Sequence, residues 1–443
     1  MKRRLSYVQL IALGYAIMIL LGTLLLMMPF SSVNGESAPF TDALFTATSA
    51  SCVTGLVPVD TGTYWSFAGQ IIIITLIQIG GLGFVTVATL LMMLMKRRIG
   101  LSKKELMIES INSSNIGGIL RLTKMILLGT LLFEGIGAII LTARFACDFS
   151  FGKALWFGIF HSISAFCNAG FDLLGQIEPY SSLMHYSSDP VVPITIMLLI
   201  IIGGIGFLVW DDIFRNGLRF KNYSFHTKLV LLTTGILTFG GALLIFIFER
   251  NASNAGLPIG EQILASFFGS VSARTAGMNV TDTGVLSAGG KLISVFLFFI
   301  GGSSGSTAGG IKTTTFAVLI LHALSSMRGN AQTSVLGRRI SDDSVKKAVT
   351  VAVTNLSLAL IGTFIICAVQ PLDLGDVLFE AFSAIGTVGM TTGITRDLVP
   401  ISEYVIIFLM YLGRVGSISF AAALIKKKAP PNVSAPTEEI IIG

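Results

Sequence analysis

Ser49-Ala50-Ser51-Cys52-Val53-Thr54-Gly55 returns three more times along the chain. The other copies are Ser164-Ala165-Phe166-Cys167-Asn168-Ala169-Gly170, Ser272-Ala273-Arg274-Thr275-Ala276-Gly277 and Ser383-Ala384-Ile385-Gly386-Thr387-Val388-Gly389. Each is a serine–alanine pair, a few small residues and a glycine, and the third is one residue shorter. Each lies between two long apolar runs. A fourfold repeat of span, short re-entrant segment and span lets one polypeptide surround a single axis with four equivalent loops. Loops tipped with glycine can turn backbone carbonyls toward a desolvated cation.

The rest of the chain fits that frame. Of its 443 residues, 53% are hydrophobic and 12% charged, against about 25% charged in an average soluble protein. No charge occurs from Thr61 to Met95, a run longer than the ~20 residues that cross a bilayer as a helix. The expectation is a polytopic protein of the cell membrane. The net charge of +6 then marks cytoplasmic loops rather than nucleic-acid binding. Lys2, Arg3 and Arg4 precede an apolar run too long for a signal peptide, so that run is read as the first span. The four cysteines have no metal-like spacing.

The apolar runs pair up. First spans are expected at 7–29, 122–146, 226–248 and 346–369, and second spans at 66–95, 191–214, 289–325 and 401–425. Between the members of each pair lie segments too short to cross, 40–52, 154–167, 260–274 and 374–386. The fold class is therefore all-α: four repeats of helix, pore helix with loop, and helix, eight spans around one central pore. The divisions are 1–98 for the first repeat, 99–219 for a linker and the second, 220–327 for the third, 328–428 for a linker and the fourth, and 429–443 for a tail. Most of the 30 Lys and Arg fall at the N-terminus, between the hairpins and at the C-terminus. Both termini are thus expected to be cytoplasmic.

A cation in a narrow pore exchanges water for protein oxygens, and carbonyls provide these without a fixed charge that would trap the ion. The candidate ion-binding residues are Val53, Thr54 and Gly55; Asn168, Ala169 and Gly170; Thr275, Ala276 and Gly277; and Thr387, Val388 and Gly389. Thr387-Val388-Gly389 is close to the TVG part of a potassium-channel filter.

A second glycine motif follows each loop. Ile79-Gly80-Gly81-Leu82-Gly83-Phe84 matches Ile202-Gly203-Gly204-Ile205-Gly206-Phe207, either of which also suits plain helix packing. The third copy dissolves into Gly301, Gly302, Ser303, Ser304, Gly305, Ser306, Thr307, Ala308, Gly309 and Gly310, followed by Ile311 and Lys312. Five glycines in ten residues disfavour a helix by ~1 kcal/mol each relative to alanine. A span broken at mid-membrane reads as a plug or gate. In the fourth copy Arg414 stands where the others place Gly81, Gly204 and Gly302. It is either an electrostatic barrier on the ion path or a buried salt bridge.

These residues resemble the potassium transporters of the Trk/Ktr/HKT superfamily, most of all the bacterial KtrB-type membrane subunits, over nearly the whole chain. The resemblance implies K+ as the transported ion, because all four loops carry glycine. It implies that the 301–315 loop and Arg414 form the gate. It further implies a homodimer with one pore per subunit, assembled on a cytoplasmic nucleotide-binding ring of the KtrA/KtrC type. Nucleotide would then act only through that partner, with no covalent cofactor. Sodium dependence stays open, and a sodium-coupled secondary transporter is the rival reading. Inverted repeats would favour the rival, whereas these four hairpins all run one way.

An enzyme is not expected. Gly302-Ser303-Ser304-Gly305 fits the GxSG pattern of intramembrane serine proteases, but no histidine follows His322 to act as base. His161 reads as a polar packing residue. Arg274 is expected to anchor its loop through carbonyls or a carboxylate. Two further segments, 99–121, which opens with a capping box at Ser102 to Glu105, and basic 328–347, are candidate docking elements. The apolar tip Ile440 to Gly443 suggests packing on a neighbouring subunit.

Overall fold

The computed structural model describes residues 7–83, 86, 119–330 and 332–416. The chain is mostly helical. In order it forms α1 (Tyr7–Leu26), α2 (Phe40–Cys52), α3 (Phe67–Leu82), α4 (Ile119–Phe145), α5 (Phe151–Cys167), α6 (Val191–Gly204) and α7 (Phe207–Asn216). There follow α8 (Phe225–Glu249), α9 (Ile259–Ser272), α10 (Ala288–Phe299), α11 (Thr313–Met327), α12 (Asp342–Val369), α13 (Leu374–Gly386) and α14 (Pro400–Val415). Between α11 and α12 a small antiparallel hairpin pairs Ser334 with Arg339 and Val335 with Arg338. The capping box at 102–105 and the 429–443 tail lie outside the described residues.

Among the described residues, the helices long and apolar enough to cross a membrane are α1, α4, α8 and α12. They coincide with the expected first spans to within a few residues. Their outward faces are large and apolar: Leu20, Leu21 and Leu24 on α1, Ile236 and Phe239 on α8, Phe364 on α12. Side chains of that kind suit hydrocarbon, where helices are held together by close packing and polar contacts rather than by exclusion from water. The inward side is correspondingly rich in small and hydroxylated residues, with Thr46, Thr48, Ser49 and Ser51 of α2 all buried.

The expected second spans differ from single long helices. The 191–214 run is two helices, α6 and α7, bent by 94°. The bend falls at Gly206, whose φ of +99° suits a residue without Cβ. The 289–325 run is broken as anticipated, into α10 and α11. The described parts of the other two, α3 and α14, have 16 residues each.

Three of the four short helices, α2, α5 and α13, pack against the helix that follows their loop through a glycine. A Cβ at Gly80 would strike the Ser51 carbonyl, one at Gly203 the Phe166 carbonyl and one at Gly413 the Ile385 carbonyl. These are the same position of α2, α5 and α13. A glycine also mediates a contact between units: Gly386 of α13, in the fourth, lies against the Phe298 carbonyl of α10, in the third. The rings of Phe298 and Phe379 meet edge to face at 4.7 Å beside that contact. Small residues here let backbones approach closely, the usual device of helix pairs in lipid.

Candidate functional site

The four serine–alanine segments end their helices in one place. Val53, Asn168 and Thr387 each take the left-handed conformation, at φ 58°, 58° and 50°. Each donates its N–H to the alanine carbonyl three residues back. The next residue donates to the serine carbonyl, Thr54 to Ser49, Ala169 to Ser164 and Val388 to Ser383, all at 2.8 Å. This is a helix C-terminal motif that normally uses glycine at the left-handed position. β-Branched Val53 and Thr387 sit there against preference, at a cost of ~1–2 kcal/mol each. The third segment, one residue shorter, lacks that cap. Ala273 stays right-handed, and Thr275 takes the positive φ, at 83°.

Two residues on, all four glycines have positive φ: Gly55 +98°, Gly170 +75°, Gly277 +77° and Gly389 +97°. Backbone that alternates in this way turns successive carbonyls to one side. The glycines meet in a closed cycle. A Cβ on Gly55 would lie 2.6 Å from the Ala169 carbonyl oxygen, and one on Gly170 would lie 2.8 Å from that of Ala276. Gly277 faces the Val388 carbonyl in the same way, and Gly389 faces that of Thr54. The four loops thus contact one another in chain order and return to the first.

The serines, which the sequence reading used only as markers of spacing, hold this ring in place. Ser49 Oγ accepts from Gly55 N at 3.0 Å and Ser383 Oγ from Gly389 N at 3.1 Å. Ser164 Oγ donates to the Phe171 carbonyl at 2.6 Å, and Ser272 Oγ donates to that of Met278. Buried Glu380 adds a second brace in the fourth loop, accepting from Thr391 and Thr395 hydroxyls. His161 receives Leu173 N–H on Nε2, so its Nδ1 carries the proton that goes to the Phe157 carbonyl. That is the packing role expected for it. Arg274 departs from expectation: its guanidinium donates to the Thr238 hydroxyl of α8 at 2.6 Å, and among the described residues it has no carbonyl or carboxylate partner.

Several oxygens on the loops have no partner among the described residues. Thr54 Oγ1, Thr275 Oγ1, Thr387 Oγ1 and Asn168 Oδ1 are fully buried and unbonded. A buried oxygen without a donor is costly.

The Gly/Ser/Thr loop of the third unit lies against these segments. A Cβ on Gly310 would meet the Gly386 carbonyl at 2.8 Å, and one on Gly301 would meet Thr275 Cγ2 at 3.1 Å. Gly309 abuts Thr387 and Gly302 abuts Ala308. The loop is extensively bonded. Its ends join through Gly301 N to Ile311 O (2.8 Å) and Thr313 N to Gly302 O (3.0 Å). Ser303 N caps Gly204 O at 2.9 Å, Thr307 N reaches Gly203 O, and Gly305 O receives Phe207 N at 2.7 Å. The loop therefore satisfies both helix ends at the α6–α7 bend. Thr307 Oγ1 also receives Asn168 Nδ2 at 2.9 Å.

Two cations belong to this region. Lys312 Nζ folds back on the Ala308 and Gly309 carbonyls at 2.7 and 3.3 Å. Arg414 donates to the carbonyls of Thr307, Gly80 and Gly81, with its Nε 3.4 Å from the Tyr15 hydroxyl. It has no carboxylate partner among the described residues. Gly80 and Gly81 close α3, at the negative end of the helix dipole where a cation is favoured. The protease-like serines pair with threonines, Ser303 with Thr313 at 2.8 Å and Ser304 with Thr314 at 3.1 Å.

A cation transport protein family, TrkH, matches residues 9–434. The chain belongs to that family. It is a multi-pass membrane transporter and not an enzyme. The chain is 41% identical to the potassium/sodium uptake protein NtpJ of Enterococcus hirae, over 100% of this chain and 98% of that one. It is 40% identical to Ktr system potassium uptake protein B of Bacillus subtilis, over 98% and 96%. The crystal structure of the potassium transporter TrkH from Vibrio parahaemolyticus aligns with a TM-score of 0.75, over 96% of this chain and 86% of that chain at 17% identity, a likeness of fold.

Proposed function

We propose that this TrkH-family chain takes up potassium through a channel-like pore whose filter is the ring of four glycine loops. The observation that carries the reading is the closed cycle of Gly55, Gly170, Gly277 and Gly389 against one another's neighbouring carbonyls. A ring of carbonyls with nearby unbonded oxygens can replace the hydration shell of K+. In this reading the chain makes eight spans in four repeats, divided at 1–98, 99–219, 220–327 and 328–428, with both termini cytoplasmic. The 301–310 loop, Lys312 and Arg414 form the gate: the loop abuts the inner residues of the filter segments, and Arg414 latches it to α3.

The Ktr names of several relatives support a membrane subunit that works with a regulatory one. We place that partner on the cytoplasmic side as a nucleotide-binding ring, and the membrane subunit as a homodimer. Sodium enters the second reading, in which potassium moves with sodium; the potassium/sodium name of the E. hirae relative favours testing it. The experiment is Rb+ uptake in a cell lacking its own potassium uptake, with and without the regulatory subunit and with and without sodium. Uptake that follows the potassium gradient, and reverses with it at zero sodium, supports the channel-like path. Strict stoichiometric sodium co-movement would replace it with the coupled transporter. No cation uptake under any condition would overturn both.

A further inference from the structure

Directly against the glycine ring lies a cavity of about 120 Å³. The four ring glycines form part of its wall, together with Thr61, Asp172, Asp282 and Arg396. It has room for an ion with several waters. Its charges are arranged unequally. Asp60, also on the wall, spends its oxygens on protein donors, with Oδ1 on Gly62 N, Thr63 N and Thr63 Oγ1 and Oδ2 on Tyr180 N. Asp172, two residues after Gly170, commits only Oδ1, to Leu174 N at 3.0 Å. Its Oδ2 has no partner among the described residues. Thr61, 4% exposed, lines the same space, and its hydroxyl likewise has no partner among them. Arg396 is turned to the wall: its guanidinium lies 4.4 Å from the Tyr180 ring centroid and Nε donates to the Gly393 carbonyl.

The geometry points to an outer cation site in this cavity, where a partly hydrated monovalent cation rests on the free oxygen of Asp172 and the hydroxyl of Thr61 before it sheds water at the glycine ring. The proposal rests on the filter reading above and extends it. A carboxylate beside the ring raises the local concentration of cations and keeps them hydrated, whereas the ring discriminates among them. The two tasks are then separable by mutation. Asp172→Asn removes the charge but keeps a carbonyl oxygen for Leu174 N, so the loop keeps its turn. Arg396→Gln removes the opposing charge from the cavity wall, and Arg396 has no hydrogen bond to either residue.

The test is Rb+ uptake as a function of external Rb+ at low ionic strength, with the Rb+/Na+ uptake ratio measured alongside. Asp172→Asn should raise the half-saturating concentration roughly threefold or more, and Arg396→Gln should lower it. Both effects should shrink at high ionic strength, and the Rb+/Na+ ratio should stay at its wild-type value. Calorimetric titration of purified wild-type and Asp172→Asn protein with Rb+ reads the same site where flux is absent, which separates failure of this site from failure of the uptake reading. Unchanged half-saturation and unchanged Rb+ binding in Asp172→Asn would overturn the outer site. A changed Rb+/Na+ ratio would also overturn it, by making Asp172 part of the discriminating ring.

Discussion

Arg414 Nη2 donates to the carbonyl of Gly80, 334 positions earlier in the chain. The same guanidinium holds Thr307 O of the Gly/Ser/Thr loop. One side chain therefore joins the end of α14, the end of α3 and the loop between α10 and α11. Its removal takes a donor from three carbonyls at once, of which Gly80 O keeps Gly83 N and the Tyr15 hydroxyl, and lysine cannot replace it, because an ammonium lacks the planar fork that spans them.

Arg414→Ala should accordingly raise maximal Rb+ uptake and reduce its dependence on a cytoplasmic partner. Deletion of Gly302 to Gly310 should act in the same direction. That deletion also strips caps from α6 and α7, so some loss of thermal stability is expected with it. Uptake that stays flat or falls in both variants, at normal membrane levels, would place the barrier elsewhere.

Gly55→Ser should weaken discrimination of potassium over sodium. At φ +98° and 2.6 Å from the Ala169 oxygen, a side chain fits only if the ring shifts. Gly170, Gly277 and Gly389 should respond alike, since each faces the next loop. The readout is the Rb+/Na+ uptake ratio, and four variants with wild-type ratios would remove the filter from these loops.

Ser49→Ala and Ser383→Ala test the braces. Each leaves the N–H of a ring glycine without its acceptor, a loss of ~1–3 kcal/mol for a buried donor. Melting temperature in detergent should drop, and the Rb+/Na+ ratio should fall less than in the glycine variants. Ser49→Thr, which retains the hydroxyl, should recover most of both.

Asp172 sets a pH dependence. Burial, with the negative charge of Asp60 added, pushes its carboxyl up to about 7. Asp282 and Arg396 line the same cavity and carry opposite charges. Asp172 is charged above that value and neutral below it. Half-saturating Rb+ should therefore increase as external pH falls from 8 to 6, and Asp172→Asn should be insensitive over that window. Identical pH profiles for the two proteins would show that another group titrates.

The short helices were legible to the residue in two cases, 40–52 and 374–386, because a left-handed cap follows each one at a fixed distance. The first spans were legible because uninterrupted apolar runs leave little choice. The bend between α6 and α7 was not. Its glycines look the same as those of α3, and what turns the chain is the loop from the third unit, whose Gly305 accepts from Phe207 N. A partner one hundred residues away leaves no local trace. The roles of Ser49 and Glu380 were hidden for a related reason: serine in a pore-type helix signals smallness as readily as a hydroxyl bond, and only the folded loop shows where the hydroxyl points.

The ring of glycines is built from one chain, and its four quadrants are not identical: Val53, Asn168, Thr275 and Thr387 occupy one equivalent place in them. In an assembly of four copies, any substitution is imposed on every quadrant together. Here a single codon alters one quarter of the ring and leaves three intact. In the proposed filter, selectivity can thus be adjusted in graded steps, and an asymmetric ring can offer an ion four different walls at the same depth.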